Sequence, residues 1–133
     1  MTTNSSAVTA GTNATASHYN NLRLDLLNGR NSIVTATDGS TVTFDLSSGK
    51  IQQVTLGGNR TLALSNDNNG QAFTLMLIQD GTGSRTVTWF SGIKWQDNTA
   101  PTLATAASNY DVFGFIRLGS GSYLGFTMGQ RMS

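Results

Sequence analysis

Aromatic side chains that could stack on a sugar are concentrated around one turn of the chain. Trp89, Phe90 and Trp95 surround Ser91-Gly92, and aromatic rings with polar neighbours are typical of a carbohydrate platform. The polar residues that follow are Gln96, Asp97 and Asn98. Trp89 continues the alternation of Val87 and is expected in the core, whereas Trp95 borders the polar loop. Trp95 is therefore the candidate platform residue for a sugar.

Carboxyl groups are too few and too scattered to predict an enzyme. Glycoside hydrolysis needs a pair of carboxyl groups across the scissile bond, but the sequence contains no Glu. The carboxylates that adjoin Gly or Asn, and are expected to support turns, are Asp38, Asp80 and Asp97. Those expected at solvated helix or strand positions are Asp25, Asp45 and Asp111. His18 has no Cys or second His with which to bind a metal, so we expect no catalytic residue, no metal and no cofactor.

Two further motifs resemble ligand sites but lack a required residue. Ser65, Asp67, Asn69 and Gly70 follow the first half of a calcium loop, but Met76 stands where the bidentate Glu belongs. An ordinary Asx turn is therefore expected there.

The second motif resembles the stacking strand of an RNA-binding domain. In Phe113–Ile116 two Phe side chains alternate, but Asp111-Val112 replaces the basic residue and glycine expected before them. The formal net charge of +1 also supplies little attraction to phosphate. We expect both Phe side chains in the core, and no nucleic acid as a partner.

Composition predicts one polar, charge-poor domain. Charged residues make up 11% of 133 residues, and such a surface suits a subunit that buries much of itself against copies or partners. Cysteine is absent, so disulfides are excluded. The N-terminus has neither a basic nor an apolar run, which argues against a signal peptide and a membrane partner.

The elements that must position these side chains are short strands. Residues 30–133 alternate with period two between glycine-rich turns, which predicts a mainly β domain, an antiparallel β-sandwich or jelly roll. Asp38-Gly39 predicts a hairpin turn. Residues 72–78 are apolar on both faces, as expected of a central strand covered on both sides.

The segment before the strands has a different pattern. Residues 1–13 are small and polar and predict a flexible arm, whereas residues 14–29 predict a short amphipathic helix that is too short to be stable alone. The residues expected to dock on a virion or on other subunits are Val8, Tyr19, Leu22 and Leu26.

Residues 86–103 and 109–126 resemble β-domains of tailed-bacteriophage virion proteins, which occur in tail fibres, baseplate-associated proteins and head decorations. The likeness extends to residues 69–84 and 10–29, and its motifs are turn and strand residues. The resemblance implies an oligomer, most often a homotrimer, that is assembled in the host cytoplasm and exposed on the virion.

Two roles follow from the resemblance. Because the chain begins at Met1 and has no long shaft, the main hypothesis is a homotrimeric capsid decoration or cement protein attached through its arm and helix to phage capsid or tail proteins. The alternative is a tail-fibre or tail-tip domain that binds host surface polysaccharide through Trp95, Gln96, Asp97 and Asn98.

Overall fold

The strands of the domain alternate between two sheets along the chain. The computed structural model describes Ala16, Asn20 and residues 32–133. The strands are β1 (Ile33–Thr35), β2 (Thr41–Asp45), β3 (Ile51–Leu56), β4 (Arg60–Ser65), β5 (Ala72–Gln79), β6 (Val87–Thr88), β7 (Ile93–Lys94), β8 (Tyr110–Arg117) and β9 (Tyr123–Met132). Short 3₁₀ turns lie at Gln96–Asn98 and Gly119–Gly121.

Parallel pairing joins the first six strands. One sheet has six strands in the order β1-β3-β5-β8-β9-β7, and the other has three in the order β2-β4-β6. Strands β1, β3 and β5 run parallel in the larger sheet, as do β2, β4 and β6 in the smaller one. The chain therefore winds through both sheets three times. Strands β8 and β9 then add an antiparallel pair next to β5.

The mainly β sandwich predicted from the sequence is confirmed, but its strand pairing is mixed. Antiparallel pairs join only β5 with β8 and β8 with β9 among the described strands. The hairpin expected at Asp38-Gly39 is wrong, because β1 and β2 belong to different sheets and the turn carries the chain between them. Side chains alternate equally in parallel and antiparallel strands, so the period-two pattern does not distinguish them.

The core lies between the inner faces of the two sheets. The largest fully buried side chains include Phe44 and Leu62 from the smaller sheet and Leu75, Phe113 and Phe115 from the larger one. The prediction that the two Phe side chains of β8 pack in the core is therefore confirmed. Residues Ile33–Ser133 form one compact unit.

The outer face of the six-stranded sheet is apolar and open. The large hydrophobic side chains that are exposed in the described residues are Ile33, Ile51, Tyr110, Ile116, Phe126, Met128 and Met132. Strand register places six of them on this face, and the close approach of Met128 to Gly114 places the seventh there. Strand β5 is central, as predicted, but covered only on its inner face. Its outward Met76 and Ile78 are half-buried.

Buried polar side chains hold the loops that connect the sheets. Gln52, 1% exposed, donates from Nε2 to the carbonyl oxygens of Asp45 and Gly49 at 2.6 and 3.0 Å. Gln79 donates from Nε2 to the carbonyls of Arg85 and Ala104 at 2.9 and 2.8 Å and accepts from the Arg85 N–H at 2.8 Å. Each glutamine replaces the hydrogen bonds to water that its loop loses on burial.

Asp111 supplies buried hydrogen bonds to the C-terminal part of the larger sheet. It is 1% exposed and accepts from the N–H groups of Ala104 and Arg131 at 2.6 and 3.1 Å. The solvated position predicted for it is therefore wrong. Asp45, by contrast, ends strand β2 at a solvent-accessible position, as predicted, and its carboxylate also supports a turn by accepting from Ser47 and Asn66.

Two carboxylates form ion pairs that also support turns. Asp38 accepts from Arg60 at 2.8 and 2.9 Å and from the Gly57 N–H, which lowers its pKa. Asp80 accepts from Arg85 and from two N–H groups of its own turn, at Thr82 and Gly83. The hydrogen bond from Arg85 is the largest cause that lowers its pKa to about 2. Turn support by Asp38 and Asp80 thus agrees with the prediction.

The N-terminal predictions lie outside the described residues. They comprise the arm of residues 1–13, the helix of residues 14–29 apart from Ala16 and Asn20, and the docking contacts Val8, Tyr19, Leu22 and Leu26.

Replacement of Gln79 by leucine should destabilise the domain strongly. Gln79→Leu leaves two carbonyls and one N–H unpaired, and an unsatisfied buried polar group costs about 1–3 kcal/mol. We expect the free energy of unfolding in urea, followed by circular dichroism, to fall by about 3 kcal/mol or more. Gln53→Leu is the matched control, because Gln53 makes one exposed hydrogen bond to Thr35; equal losses in both variants would contradict the role of Gln79.

Acid should weaken the domain through its paired carboxylates. The folded-state pKa of Asp80 lies at about 2, below its ordinary value of 3.8, so the stabilisation is complete above the ordinary value and disappears as pH falls toward 2. We expect the urea midpoint to be constant near neutral pH and lower at about pH 3. Asp80→Asn should be less stable near neutral pH and show a smaller acid loss. The same acid loss in both proteins would contradict this assignment.

Candidate functional site

A layer of aromatic side chains closes the core where the smaller sheet ends. The smaller sheet finishes at β6, which has two residues, and the chain then places Trp89, Phe90 and Trp95 over the inner faces of β8 and β9. Ring centroids lie 4.9 Å apart for Trp89 and Phe113, 5.3 Å for Phe90 and Phe115, and 5.7 Å for Trp95 and Phe115. Edge-to-face and tilted ring pairs of this kind are favourable. The three rings are partly buried, so the layer packs against the core on one side and forms part of the protein surface on the other.

Strand β7 fixes the position of Trp95. Ile93 and Lys94 pair with Tyr123 and Leu124 of β9, which brings Trp95 beside Gly125. A Cβ atom at Gly125 would lie 2.8 Å from the Trp95 ring and from Ile93 Cγ2. Glycine is therefore required here for a close approach, and it allows the indole ring to lie against the backbone of β9.

An open groove of about 460 Å³ runs beside the Trp95 ring. Its lining residues are Lys94, Trp95, Gln96, Thr99, Pro101, Leu124, Gly125, Phe126 and Thr127. We call it the Trp95 groove. It combines the Trp95 ring, the exposed Phe126 ring and hydrogen-bonding side chains such as Gln96. This is the composition of a small-ligand site.

The structure brings together only part of the predicted platform. Trp95 and Gln96 line the groove, but Asp97 and Asn98 do not. Both belong to the 3₁₀ turn and have a φ of 55°, and Thr99 Oγ1 donates to the carbonyl of Asp97 at 3.1 Å. This turn leads the chain away from Gln96 and returns it to the groove at Thr99.

Seven of the nine residues that line the groove were not indicated by the sequence. Phe126 and Thr127 lie on β9, about thirty positions after Trp95, and only the pairing of β7 with β9 brings them near it. Lys94 and Thr99 adjoin the predicted residues but carry no distinctive motif. No short-range sequence signal could have found the β9 wall.

The two tryptophans do not differ in the way that the alternation predicted. Trp89 and Trp95 are both half-buried, and both pack against the core. Trp89 lines a second, smaller groove of about 160 Å³ with hydroxyl side chains around it. Pro101 lines both grooves, so the two adjoin each other.

Few charged side chains line the two grooves, and one of them is held in an ion pair. Among the described residues that line the Trp95 groove, Lys94 is the one charged side chain. Arg85 lines the second groove, but it is paired with Asp80 at 2.9 Å. The Trp95 groove therefore has a weakly positive, mostly neutral character.

In the calcium-like loop, the carboxylate of Asp67 is bound by side chains of the same chain, Tyr123 and Arg117. Tyr123 donates its hydroxyl hydrogen bond to Asp67, which lowers the pKa of that carboxyl, and burial raises the pKa of Tyr123. Arg117 Nε lies 2.6 Å from Asp67 Oδ2, and Arg117 also donates to Asn69. Within the described part of the chain, no three acidic or histidine side chains are grouped as metal ligands would be. None of its helices is long and apolar enough to cross a bilayer.

An added methyl group at Gly125 should displace Trp95. In Gly125→Ala the Cβ would overlap the indole ring, and overpacking of this kind costs about 1–3 kcal/mol. We expect a lower free energy of unfolding and a red-shifted tryptophan emission as the ring moves toward water. Gly81→Ala is the control, because no atom lies within 4 Å of a Cβ at that position. An unchanged spectrum in Gly125→Ala would contradict the close approach.

Comparison with known proteins agrees with the resemblance to phage virion domains. Residues 34–122, about two thirds of the chain, match the family described as "Putative phage tail fibre C-terminal domain". The match includes the winding strands and Trp95, whereas β9 lies beyond it. No curated protein and no solved structure matches the chain. The protein is thus a structural component of a phage virion, and the chain belongs to the family of phage tail fibre C-terminal domains.

Proposed function

We propose that this domain is the part of a tail fibre that binds host surface polysaccharide, and that the Trp95 groove is its binding site. The family match supports a fibre in preference to the capsid decoration or cement role expected from the sequence. The observation that carries the proposal is the groove itself, in which the Trp95 ring lies beside amide and hydroxyl side chains at an open surface.

The lining chemistry suits a sugar. The apolar face of a pyranose ring stacks on an indole ring, while its hydroxyls need donors and acceptors at the sides. Gln96, Thr99 and Thr127 are exposed and supply both kinds of group. Lys94 adds a donor that would also attract an acidic sugar.

Binding without cleavage fits the position of the carboxylates. Hydrolysis needs two carboxyl groups near the scissile bond, and the described residues that line the groove include no Asp. Asp38 and Asp80 are held by arginines. Asp97 is exposed on the adjacent turn without a second carboxylate among the lining residues. We therefore propose a binding domain and no enzymatic activity.

The adjoining groove at Trp89 supports a ligand longer than one sugar. Pro101 separates the two grooves, and the Trp89 and Trp95 ring centroids are 5.1 Å apart. Ser84, Thr86, Thr102 and Thr105 line the second groove and supply hydroxyl groups. A linear polysaccharide could therefore contact both tryptophans in succession.

Assembly with other phage structural proteins and with copies of itself completes the proposal. Attachment through the arm and helix, with Val8, Tyr19, Leu22 and Leu26, stays a prediction, as does the homotrimer.

Loss of the indole ring should weaken glycan binding. Trp95→Ala removes the stacking surface, and we expect the Kd for host polysaccharide to rise at least about tenfold, equivalent to about 1.4 kcal/mol. Binding is measured on a glycan array and by calorimetry with polysaccharide purified from the host. Because Trp95 also packs on the core, Gln96→Ala serves as an exposed variant that should weaken binding without loss of stability.

The matched control is Asn98→Ala, which alters an exposed residue near Trp95 but outside the groove. It should bind like the wild type. Equal binding by wild type, Trp95→Ala and Gln96→Ala would contradict the assignment of the groove as the binding site. Release of reducing ends from the polysaccharide would contradict binding without catalysis.

A further inference from the structure

The main-chain groups of β4 point alternately to its two neighbours in the smaller sheet. The Arg60 N–H donates to the Thr86 carbonyl at 3.0 Å, on the side of β6. The Thr61 N–H donates to the Ser40 carbonyl at 3.0 Å, on the side of β2. Because the N–H and C=O groups of successive strand residues face opposite edges, those of Leu64 face the same side as those of Arg60.

Strand β6 is too short to cover this edge of β4. It ends at Thr88, which pairs with Thr61, and the chain then places Trp89 over the inner face of the larger sheet. Leu64 lies three positions beyond the last paired residue of β4. Within the described part of the chain, no backbone group donates to its carbonyl or accepts from its N–H on this side. A main-chain donor and acceptor are therefore available to a ligand.

A groove of about 430 Å³ lies along this open edge, and we call it the β4-edge groove. The described residues that line it carry no charge and combine aromatic rings with the exposed hydroxyl of Ser91. Rings beside a few neutral hydrogen-bonding groups are the composition already found at Trp95. The lining residues are Thr61, Leu62, Ala63, Leu64, Trp89, Phe90, Ser91, Gly121 and Tyr123.

Aromatic rings connect the β4-edge groove with the Trp95 groove. Trp89 lines both the β4-edge groove and the smaller groove that adjoins the Trp95 groove. Ring centroids are 5.1 Å apart for Trp95 and Trp89, 6.3 Å for Trp89 and Phe90, and 5.1 Å for Phe90 and Tyr123. The series of rings thus runs from the Trp95 groove to the open edge of β4.

The open edge suits a sugar better than a peptide strand. A peptide that adds to a sheet edge gains affinity from main-chain hydrogen bonds along the strand, but β4 ends at Ser65, one residue beyond Leu64. A sugar hydroxyl both donates and accepts, so one sugar unit can accept from the Leu64 N–H and donate to the Leu62 carbonyl. The apolar face of the same unit can pack on Phe90.

We infer that the β4-edge groove is a further sugar subsite, in which main-chain groups of Leu62 and Leu64 hydrogen-bond to hydroxyls. The ligand is then a segment of several sugar units that reaches from Trp95 to the open edge, and not a single terminal sugar. This inference rests on the proposed function, because it assigns the same polysaccharide to both grooves.

The test removes the Leu64 N–H. Proline is tolerated in a strand where the N–H faces an open edge, so Leu64→Pro deletes the donor, and Leu64→Ala is the matched control that loses the side chain but keeps the N–H. Host polysaccharide is hydrolysed to fragments of defined length, and calorimetry with the full chain measures the Kd for each fragment. Circular dichroism verifies the fold. If Leu64→Pro fails to fold, Ser91→Leu fills the groove from an exposed position, with Thr43→Leu on the outer face of the smaller sheet as its control.

We expect the affinity of the wild type to rise with fragment length. For long fragments, the Kd of Leu64→Pro should exceed that of Leu64→Ala by about three- to tenfold, the effect of one hydrogen bond. The shortest fragments, which stack on Trp95, should bind both variants equally.

Three outcomes would contradict this assignment or the function beneath it. Long fragments that bind Leu64→Pro and Leu64→Ala equally, or Ser91→Leu and Thr43→Leu equally, would overturn the inference and leave the proposed function intact. Short fragments that bind Trp95→Ala like the wild type would contradict the proposed function. Binding to polysaccharide-free host surface protein that is lost in Leu64→Pro would assign the edge to a peptide strand and overturn the inference.

Discussion

The constraint on which the structure depends is the parallel pairing of strands that alternate between two sheets. Parallel neighbours cannot be joined by a tight hairpin, so the chain must leave each sheet, cross to the other and return. Each crossing places loop backbone near the core, where its N–H and C=O groups lose water. Gln52, Gln79 and Asp111 supply the missing hydrogen bonds from buried positions, and without them the winding path would leave polar groups unpaired.

The candidate site lies where the winding of the chain between the two sheets ends. The smaller sheet stops at β6, while β8 and β9 extend the larger sheet beyond it. Part of the inner face would therefore be open to water, and Trp89, Phe90 and Trp95 cover it with rings instead of a strand. A layer made of large side chains leaves grooves between them, which a continuous strand does not. The same physical need, to cover the ends of β8 and β9, thus produces an aromatic surface available to a ligand.

Sequence patterns predicted the strands well and their partners poorly. Alternation placed Phe113 and Phe115 in the core, and turn chemistry predicted carboxylate support at Asp38 and Asp80. Parallel pairing was not predictable, because alternation is the same in both directions. Asp111 looked solvated because its buried partners, the N–H groups of Ala104 and Arg131, belong to distant parts of the chain. For the same reason Trp95 and Gln96 could be named as site residues, whereas Phe126 and Thr127 could not.

Phe126 links the groove to the outer face. Its side chain is 48% exposed; it lines the Trp95 groove, and it lies in the same row as Ile33 and Ile51. A ligand in the groove would therefore contact the Phe126 ring as well as the Trp95 ring. The pairing of β7 with β9 is what brings these two rings to the same groove, so the candidate site depends on the register of the larger sheet as much as on the aromatic layer.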